Sequence, residues 1–302
     1  MGRFRSSQSQ ANYAVSQKLA IGKPSHGKER EDGRIHSIGT ARTYSASLKG
    51  VAAFIAERKL DSTGKGLASL TLEMANTYLE FRAQEVSQKQ LNKDRQAMQI
   101  LLGEKLAVTK SELEQALESR AYTQAQVQLI AGAQTKTHSL PTLIAADAGL
   151  RAHELLTLLP SKERGASSHR IWTNERFEGR KNVKRYSVVG KGGLIREVAI
   201  VKELADQLEL LRLYEPRTVT DRGIHYVQYY NIGGGKRWSG SFSKAAQREL
   251  GWSTGAHGVR HTYAQARMRL LQELGYIYEA ALAIVSQEMG HFRSTITEVY
   301  LR

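Results

Sequence analysis

Apolar side chains recur at spacings of three and four through the first third of the chain: Tyr44, Leu48, Val51, Ala52 and Ile55, then Leu72, Ala75 and Leu79, then Ala97, Ile100 and Leu101. That period lines one face of a helix, so residues 36–118 are predicted to form three or four helices, separated by polar segments such as 64–69. Ser111 with Glu114, and Thr123 with Gln126, have the spacing of capping boxes, in which a hydroxyl and a longer side chain satisfy the free amides at a helix start. The first predicts a further short helix near the domain junction, and the second a helix running to Gln134. Leu140 to Ala148 and Ala152 to Leu159 read as two more helices joined at Gly149 and ended by Pro160.

Beyond Pro160 the pattern changes. Arg170 to Thr173, Tyr186 to Val189 and Arg196 to Val201 are β-branched or aromatic, and the last two flank Gly190-Lys191-Gly192-Gly193, which predicts a hairpin with a lysine at its tip. From Glu203 the pattern is again mostly helical, interrupted by a glycine-rich, aromatic stretch around Tyr229 to Trp238. The predicted fold class is therefore mainly α with a small antiparallel β-sheet. It divides into an N-terminal helical domain, 36–118, and a C-terminal domain, 119–302.

Composition narrows the partners. The chain of 302 residues carries 44 Lys and Arg against 29 Asp and Glu, a net charge of +15 that attracts polyanions, nucleic acid first. Residues 1–35 hold seven of these cations (Arg3, Arg5, Lys18, Lys23, Lys28, Arg30, Arg34) among Gly, Ser and Gln, and read as a basic arm, with a disordered, solvated tail as the alternative. No apolar run is long enough for a membrane span, no signal-peptide core is present, and no cysteine offers a disulfide or thiol, so a cytoplasmic protein is expected. Gly233-Gly234-Gly235-Lys236 lacks the leading glycine and the following Ser or Thr of a phosphate loop, and reads as a flexible loop. No acidic cluster suggests a metal site, and neither metal nor cofactor is expected.

Five short motifs occur in order: Gly149-Leu150-Arg151-Ala152-His153-Glu154-Leu155, the hairpin Lys191, His257-Gly258-Val259-Arg260-His261, Gly290-His291, and Tyr300 nine residues further on. Each alone is weak, but their order and separations resemble those of the tyrosine recombinases, the phage-integrase family of site-specific DNA recombinases. The resemblance is strong from Arg151 to Tyr300 and suggestive over 36–118, where Ser37, Thr40, Tyr44 and the Leu48–Phe54 stretch resemble the first helix of the family's core-binding domain. It implies a C-terminal catalytic domain, double-stranded DNA as partner, two domains closing as a C-shaped clamp, and homotetramers on paired sites, with accessory DNA-bending proteins as further partners. It also implies cleavage through a 3′-phosphotyrosyl intermediate that leaves a free 5′-hydroxyl, without metal or ATP. A nucleoid location would follow from DNA binding.

The residue types suit that chemistry. Phosphodiester transfer builds negative charge on non-bridging oxygens, and two arginines, Arg151 and Arg260, offer permanently charged forks to meet it. Glu154, three residues after Arg151, would orient that arginine. A free phenol has a pKa near 10, so Tyr300 needs a neighbour to take its proton. His257 is the candidate base and His291 a donor to the phosphate, with the two roles exchangeable, and His261 in support. Lys191 is the candidate proton donor to the leaving oxygen, with Lys181, Lys184 and Arg185 as competitors. Bland readings exist for each: Arg151 paired with Glu154 on a surface, Lys191 as an ordinary tip, His257 as a helix-start residue after Gly255, His291 as a turn residue after Gly290, and Tyr300 as an amphipathic anchor beside Ile296 and Val299.

Two departures from the family pattern stand out. The interval from His257 to His291 is long, which suggests an extended helix or insertion over Met268 to Glu279, and the sequence ends two residues after Tyr300, where many relatives continue into a docking helix. A topoisomerase IB-like relaxing enzyme and a non-catalytic DNA-binding accessory protein are the alternative functions.

Overall fold

The computed structural model describes residues 6–22, 33–113 and 118–302, with the side chain of Lys191 also left undescribed. The chain divides into two compact units, Met1–Ala116 and Leu117–Arg302.

The first unit is all-helical: α1 (Ser7–Ser16), α2 (Ile38–Glu57), α3 (Leu72–Ala83) and α4 (Gln88–Leu102), with a 3₁₀ turn at Gly66–Ser69. Ser37 and Thr71 cap α2 and α3 by accepting from the amides of Thr40 and Met74. The periodic positions point inward, and Leu48, Val51, Ile55, Ala75, Leu79, Leu91 and Met98 form the core. Glu114, and with it the helix expected from Ser111, lies outside the described residues.

The expectation of a basic arm over 1–35 is corrected for its described part. Residues 7–16 form a helix whose Ala11 and Val15 are buried in the same core, and Gln10 Oε1 accepts from Leu67 N at 2.7 Å. Ala20 N donates to Ile35 O at 2.9 Å and Ile35 N to Lys18 O at 2.8 Å, so the two described ends meet beside the core. The polar texture of the arm concealed these few apolar positions.

The second unit runs α5 (Gln124–Gly132), α6 (Lys136–Ala148), β1 (Leu159–Pro160), β2 (Val183–Val189), β3 (Ile195–Val201), α7 (Lys202–Glu209), β4 (Arg212–Asp221), β5 (Ile224–Tyr230), α8 (Gly235–Leu250), α9 (Gly258–Glu273), α10 (Tyr278–Glu288) and α11 (Ser294–Glu298). The Thr123–Gln126 capping box is present. β1, β2 and β3 form one antiparallel sheet, and the pairing of Val189 with Ile195 puts Lys191 in the predicted tip. Trp238 and Phe242 of α8 pack with Ile144, Leu155, Val188 and Val198 into the main core.

Three expected elements differ. Ala152 to Leu159 is a 3₁₀ turn at Glu154–Thr157 leading into β1, not a helix: the Arg151 amide bonds the Glu154 side chain, and Val189 N the Thr157 hydroxyl, so side chains take the place of the helical ladder. Arg170 to Thr173 is not a strand; Trp172 Nε1 and Thr173 N bond to Ser167 O and Gln287 Oε1. A second, two-stranded ribbon, β4–β5, occupies 212–230, where a mostly helical pattern was expected. The long interval after His257 is filled by α9 and α10, which turn back on each other at Gly275 rather than forming one extended helix.

Because Ile35 is 2% exposed, Ile35→Ala is expected to destabilise the first unit by about 2–5 kcal/mol. Urea unfolding followed by far-ultraviolet circular dichroism checks this, and an unchanged midpoint would mean the segment is not part of the core.

Candidate active site

Gly149 ends α6 in a left-handed conformation (φ +61°), and a Cβ there would lie 2.6 Å from the Tyr263 ring. The turn delivers Arg151 and Glu154 to the middle of the second unit. The Glu154 carboxylate is fully buried and accepts from Arg151 Nη1 at 2.7 Å, Arg151 N at 2.8 Å and Arg196 Nη2 at 2.8 Å, with Arg260 Nη1 at 3.9 Å. Burial alone would raise its pKa, but Arg196, Arg151 and Arg260 outweigh it and hold the group well below the ordinary carboxylate range.

Arg260, on the first turn of α9, is buried and donates to the carbonyls of Gly149 and Met289. Burial, then Arg151, pushes it down to about 10, so it stays cationic at neutral pH. His291 follows Gly290, which sits so close to Arg196 that a Cβ would lie 2.8 Å from its Cδ. His291 Nε2 lies 3.0 Å from Arg151 Nη2 and 3.3 Å from Arg260 Nη2, and Nδ1 lies 3.0 Å from Thr297 Oγ1. Since guanidinium nitrogens only donate, Nε2 accepts and the ring proton sits on Nδ1. Burial, then Arg260, Arg151 and Arg196, lowers its pKa to about 3.

His257 caps α9, and its Nε2 is 3.0 Å from the Tyr300 hydroxyl. The residue is exposed, yet desolvation of the part that packs against Tyr300, then Arg260, His261, Arg120 and Arg151, lowers its pKa to about 4. It is therefore neutral at pH 7, able to accept the phenolic proton. One helical turn on, the buried His261 ring lies 4.8 Å from that of Tyr300, also lowered to about 4 by burial and then Arg120 and Arg260. Tyr300 is 8% exposed, with Arg260 Cζ 5.4 Å from its ring, while Ile296 and Val299 are exposed. Its ring belongs to an apolar cluster with Ala264, Met268 and Met289, as the anchor reading expects, while its hydroxyl meets His257.

Arg151, Glu154, His257, Arg260, His261, His291 and Tyr300 are thus brought together. The Lys191 side chain lies outside the described residues, but a Cβ on its neighbour Gly190 would be 3.3 Å from Glu154 Oε1 and 3.9 Å from Arg151 Nη1. Two of the competing cations are engaged elsewhere: Lys184 bonds Asp206 at 2.6 Å, and Arg185 lies over the Phe177 ring. Among the described residues no group of three or more His, Asp or Glu is placed to hold a metal ion, and no helix is long and apolar enough to cross a membrane.

Sequence reasoning missed Arg196. It alternates with Val198 and Ile200 on the inward face of β3, and a cation in that register calls for a buried partner. It also missed Thr297, which holds the His291 Nδ1 side, and Glu288, whose carboxylate binds Arg267 at 2.8 Å and Tyr263 at 2.8 Å beneath the site.

No family model matches the chain, and no curated protein matches it in sequence. Solved structures do match. The XerH site-specific recombinase bound to palindromic difH substrate, in its post-cleavage complex, superposes with a TM-score of 0.58 at 12% identity, over 98% of this chain and 90% of that one. This chain has the tyrosine-recombinase fold. The pre-cleavage complex of XerH on difH gives 0.55 at 14% identity over 98% and 91% of the two chains, and a lambda integrase dimer bound to a COC′ core site gives 0.52 at 16% over 91% and 92%. At these identities the tyrosine-recombinase likeness is one of fold.

Removing one member of the buried Glu154 cluster strands charge. Arg196→Met is expected to cost about 3–5 kcal/mol of stability, measured by denaturant unfolding. The histidines make stability pH-dependent. Their folded pKa values (about 4 for His257 and His261, about 3 for His291) lie below the ordinary 6.5, so the unfolded chain takes up protons first. Their contribution is intact above pH 6.5 and lost progressively as pH falls towards 4 and 3; His291→Asn is expected to make the urea midpoint less sensitive to pH between 7 and 5.

Proposed function

We propose that this chain is a site-specific DNA recombinase that cleaves and rejoins double-stranded DNA, with Tyr300 as nucleophile. The observation that carries the reading is the 3.0 Å contact between Tyr300 and the neutral His257, set beside Arg151 and Arg260, which converge on His291. The tyrosine-recombinase fold, shared with proteins solved on DNA substrates, supports it.

In the proposed step Tyr300 Oη attacks phosphorus as its proton passes to His257 Nε2. The bond to the 5′ oxygen breaks, and Lys191 protonates that oxygen, leaving a 3′-phosphotyrosyl link and a free 5′-hydroxyl. Reversal by a second 5′-hydroxyl rejoins the strand. The electrostatics fit: three guanidiniums against the one Glu154 carboxylate leave an excess of two positive charges. A phosphodiester brings one negative charge and its transition state a second, so the fixed donors gain most when the reaction is half complete. A bound phosphate also favours His257 in its protonated form, raising a pKa of about 4 towards the range a base needs. Assembly as a homotetramer on paired sites, with a core-binding role for the first unit, completes the reading.

A nicked duplex that loses its 5′-hydroxyl fragment tests it. Wild-type protein should accumulate a covalent complex, while Tyr300→Phe should bind and form none. Arg260→Ala is expected to slow trapping by at least about two orders of magnitude, the scale of one lost transition-state donor. The trapping rate should fall on the acid side as His257 becomes protonated, and His257→Gln should remove that limb. Trapping by Tyr300→Phe would exclude the residue, and site-independent relaxation of supercoils by monomers would favour a topoisomerase instead.

A further inference from the structure

The β4–β5 ribbon is the one strand pair outside the main sheet among the described residues. Thr218 pairs with Val227, Val219 with Tyr226 and Thr220 with His225, around a turn in which Arg222 (φ +52°) and Gly223 (φ +73°) are both left-handed, the two-residue turn that suits a twisted hairpin.

Its two faces differ. On the inner face, Tyr226 lies with its ring centroid 6.0 Å from His153, and the buried Gln228 donates to Ile232 O at 2.7 Å and accepts from Arg217 Nε at 3.1 Å. Asp221, beside the turn, accepts from Lys236 N at the start of α8. The outer face presents Thr218, Thr220, His225 and Val227, all exposed, Val227 at 50%. His225 Nδ1 is 2.9 Å from Thr220 Oγ1, which leaves Nε2 as its free polar atom.

The anchor point identifies the occupant. His153 is two residues from Arg151, and Gly235 N bonds Ala152 O at 2.7 Å, so ribbon and α8 start are fixed beside the arginine cluster. Arg151 is the partly exposed member of that cluster, its side chain 22% exposed against 0% for Arg260, so a duplex whose phosphate rests on Arg151 would pass close to this ribbon. The cations agree: Lys236 and Arg237 are exposed and make no ion pair among the described residues, and Arg222 at the tip has only a 4.0 Å contact with Asp221. A two-stranded ribbon is also one of the few elements that fit the major groove, about 12 Å wide. Threonine hydroxyls and methyls, an imidazole edge and a valine match the polar edges and thymine methyls displayed there.

We infer that the β4–β5 ribbon lies in the major groove and reads base edges of the same duplex that the arginine cluster holds, setting part of the target sequence. This rests on the recombinase reading above, and supplies a specificity element for it.

The test is selection of binding sites from a random duplex pool by the full chain, comparing wild type with Thr218→Val/Thr220→Val and, separately, with His225→Ala. These exposed positions keep or tolerate strand geometry, and thermal melts confirm folding. In at least one variant, preference should weaken about tenfold per base pair across one contiguous block, and stay intact elsewhere in the site. If both folded variants recover the wild-type preferences, the inference is overturned. Unchanged preferences with lost self-association would overturn it too, making the ribbon an interface between copies. If wild-type protein itself selects no site and traps no covalent complex, it is the recombinase reading that fails.

Discussion

A single buried carboxylate organises the second unit. Glu154 is enclosed by Arg151, Arg196 and Arg260, and each of these also grips backbone or side chain from a different part of the chain: Gly149, Glu288, Met289 and His291. An anion removed from water is costly unless it is fully paired, and the buried Arg196 and Arg260 with the partly exposed Arg151 would repel one another without it. Each side of the cluster is thus stable only because the other is present. The result is a set of donors fixed in place before any ligand arrives, the condition under which charge stabilisation is strongest.

The three imidazoles around Tyr300 complement this. All are held neutral by desolvation and by nearby arginines, Arg260 being common to the three, so the cluster's positive charge comes from the guanidiniums and its proton traffic from the imidazoles. His291 shows how finely the tautomer is fixed: Nε2 must accept from two arginines, so Nδ1 donates to Thr297, which is held in turn by Ser286.

Much of this was legible in the sequence because the relevant signals are local. The Gly149–Leu155 and His257–His261 segments each set two or more polar groups within one turn, and the Gly190–Gly193 tip announced its hairpin. Glu288 and Thr297 were invisible because their roles depend on contacts with residues distant in sequence. The ribbon was missed although its signals are local: Pro216 and the Asp221–Gly223 turn oppose a helix, and the β-branched and aromatic segments Thr218–Thr220 and Ile224–Tyr230 flank that turn. The 3₁₀ turn at Glu154 is a different case: propensity favoured a helix, and side-chain bonds prevailed. In the N-terminal segment, two helical residues and one isoleucine decide the packing, too few to stand out among charged neighbours.

Arg151 and His291 touch across 140 residues, and His257 reaches Tyr300 across 43. Contacts this distant in sequence form only after long loops have closed, late in folding. A nascent or partly unfolded second unit therefore holds the motifs but no assembled pocket. For a protein proposed to cleave and rejoin DNA, the reacting groups meet only in the completed fold.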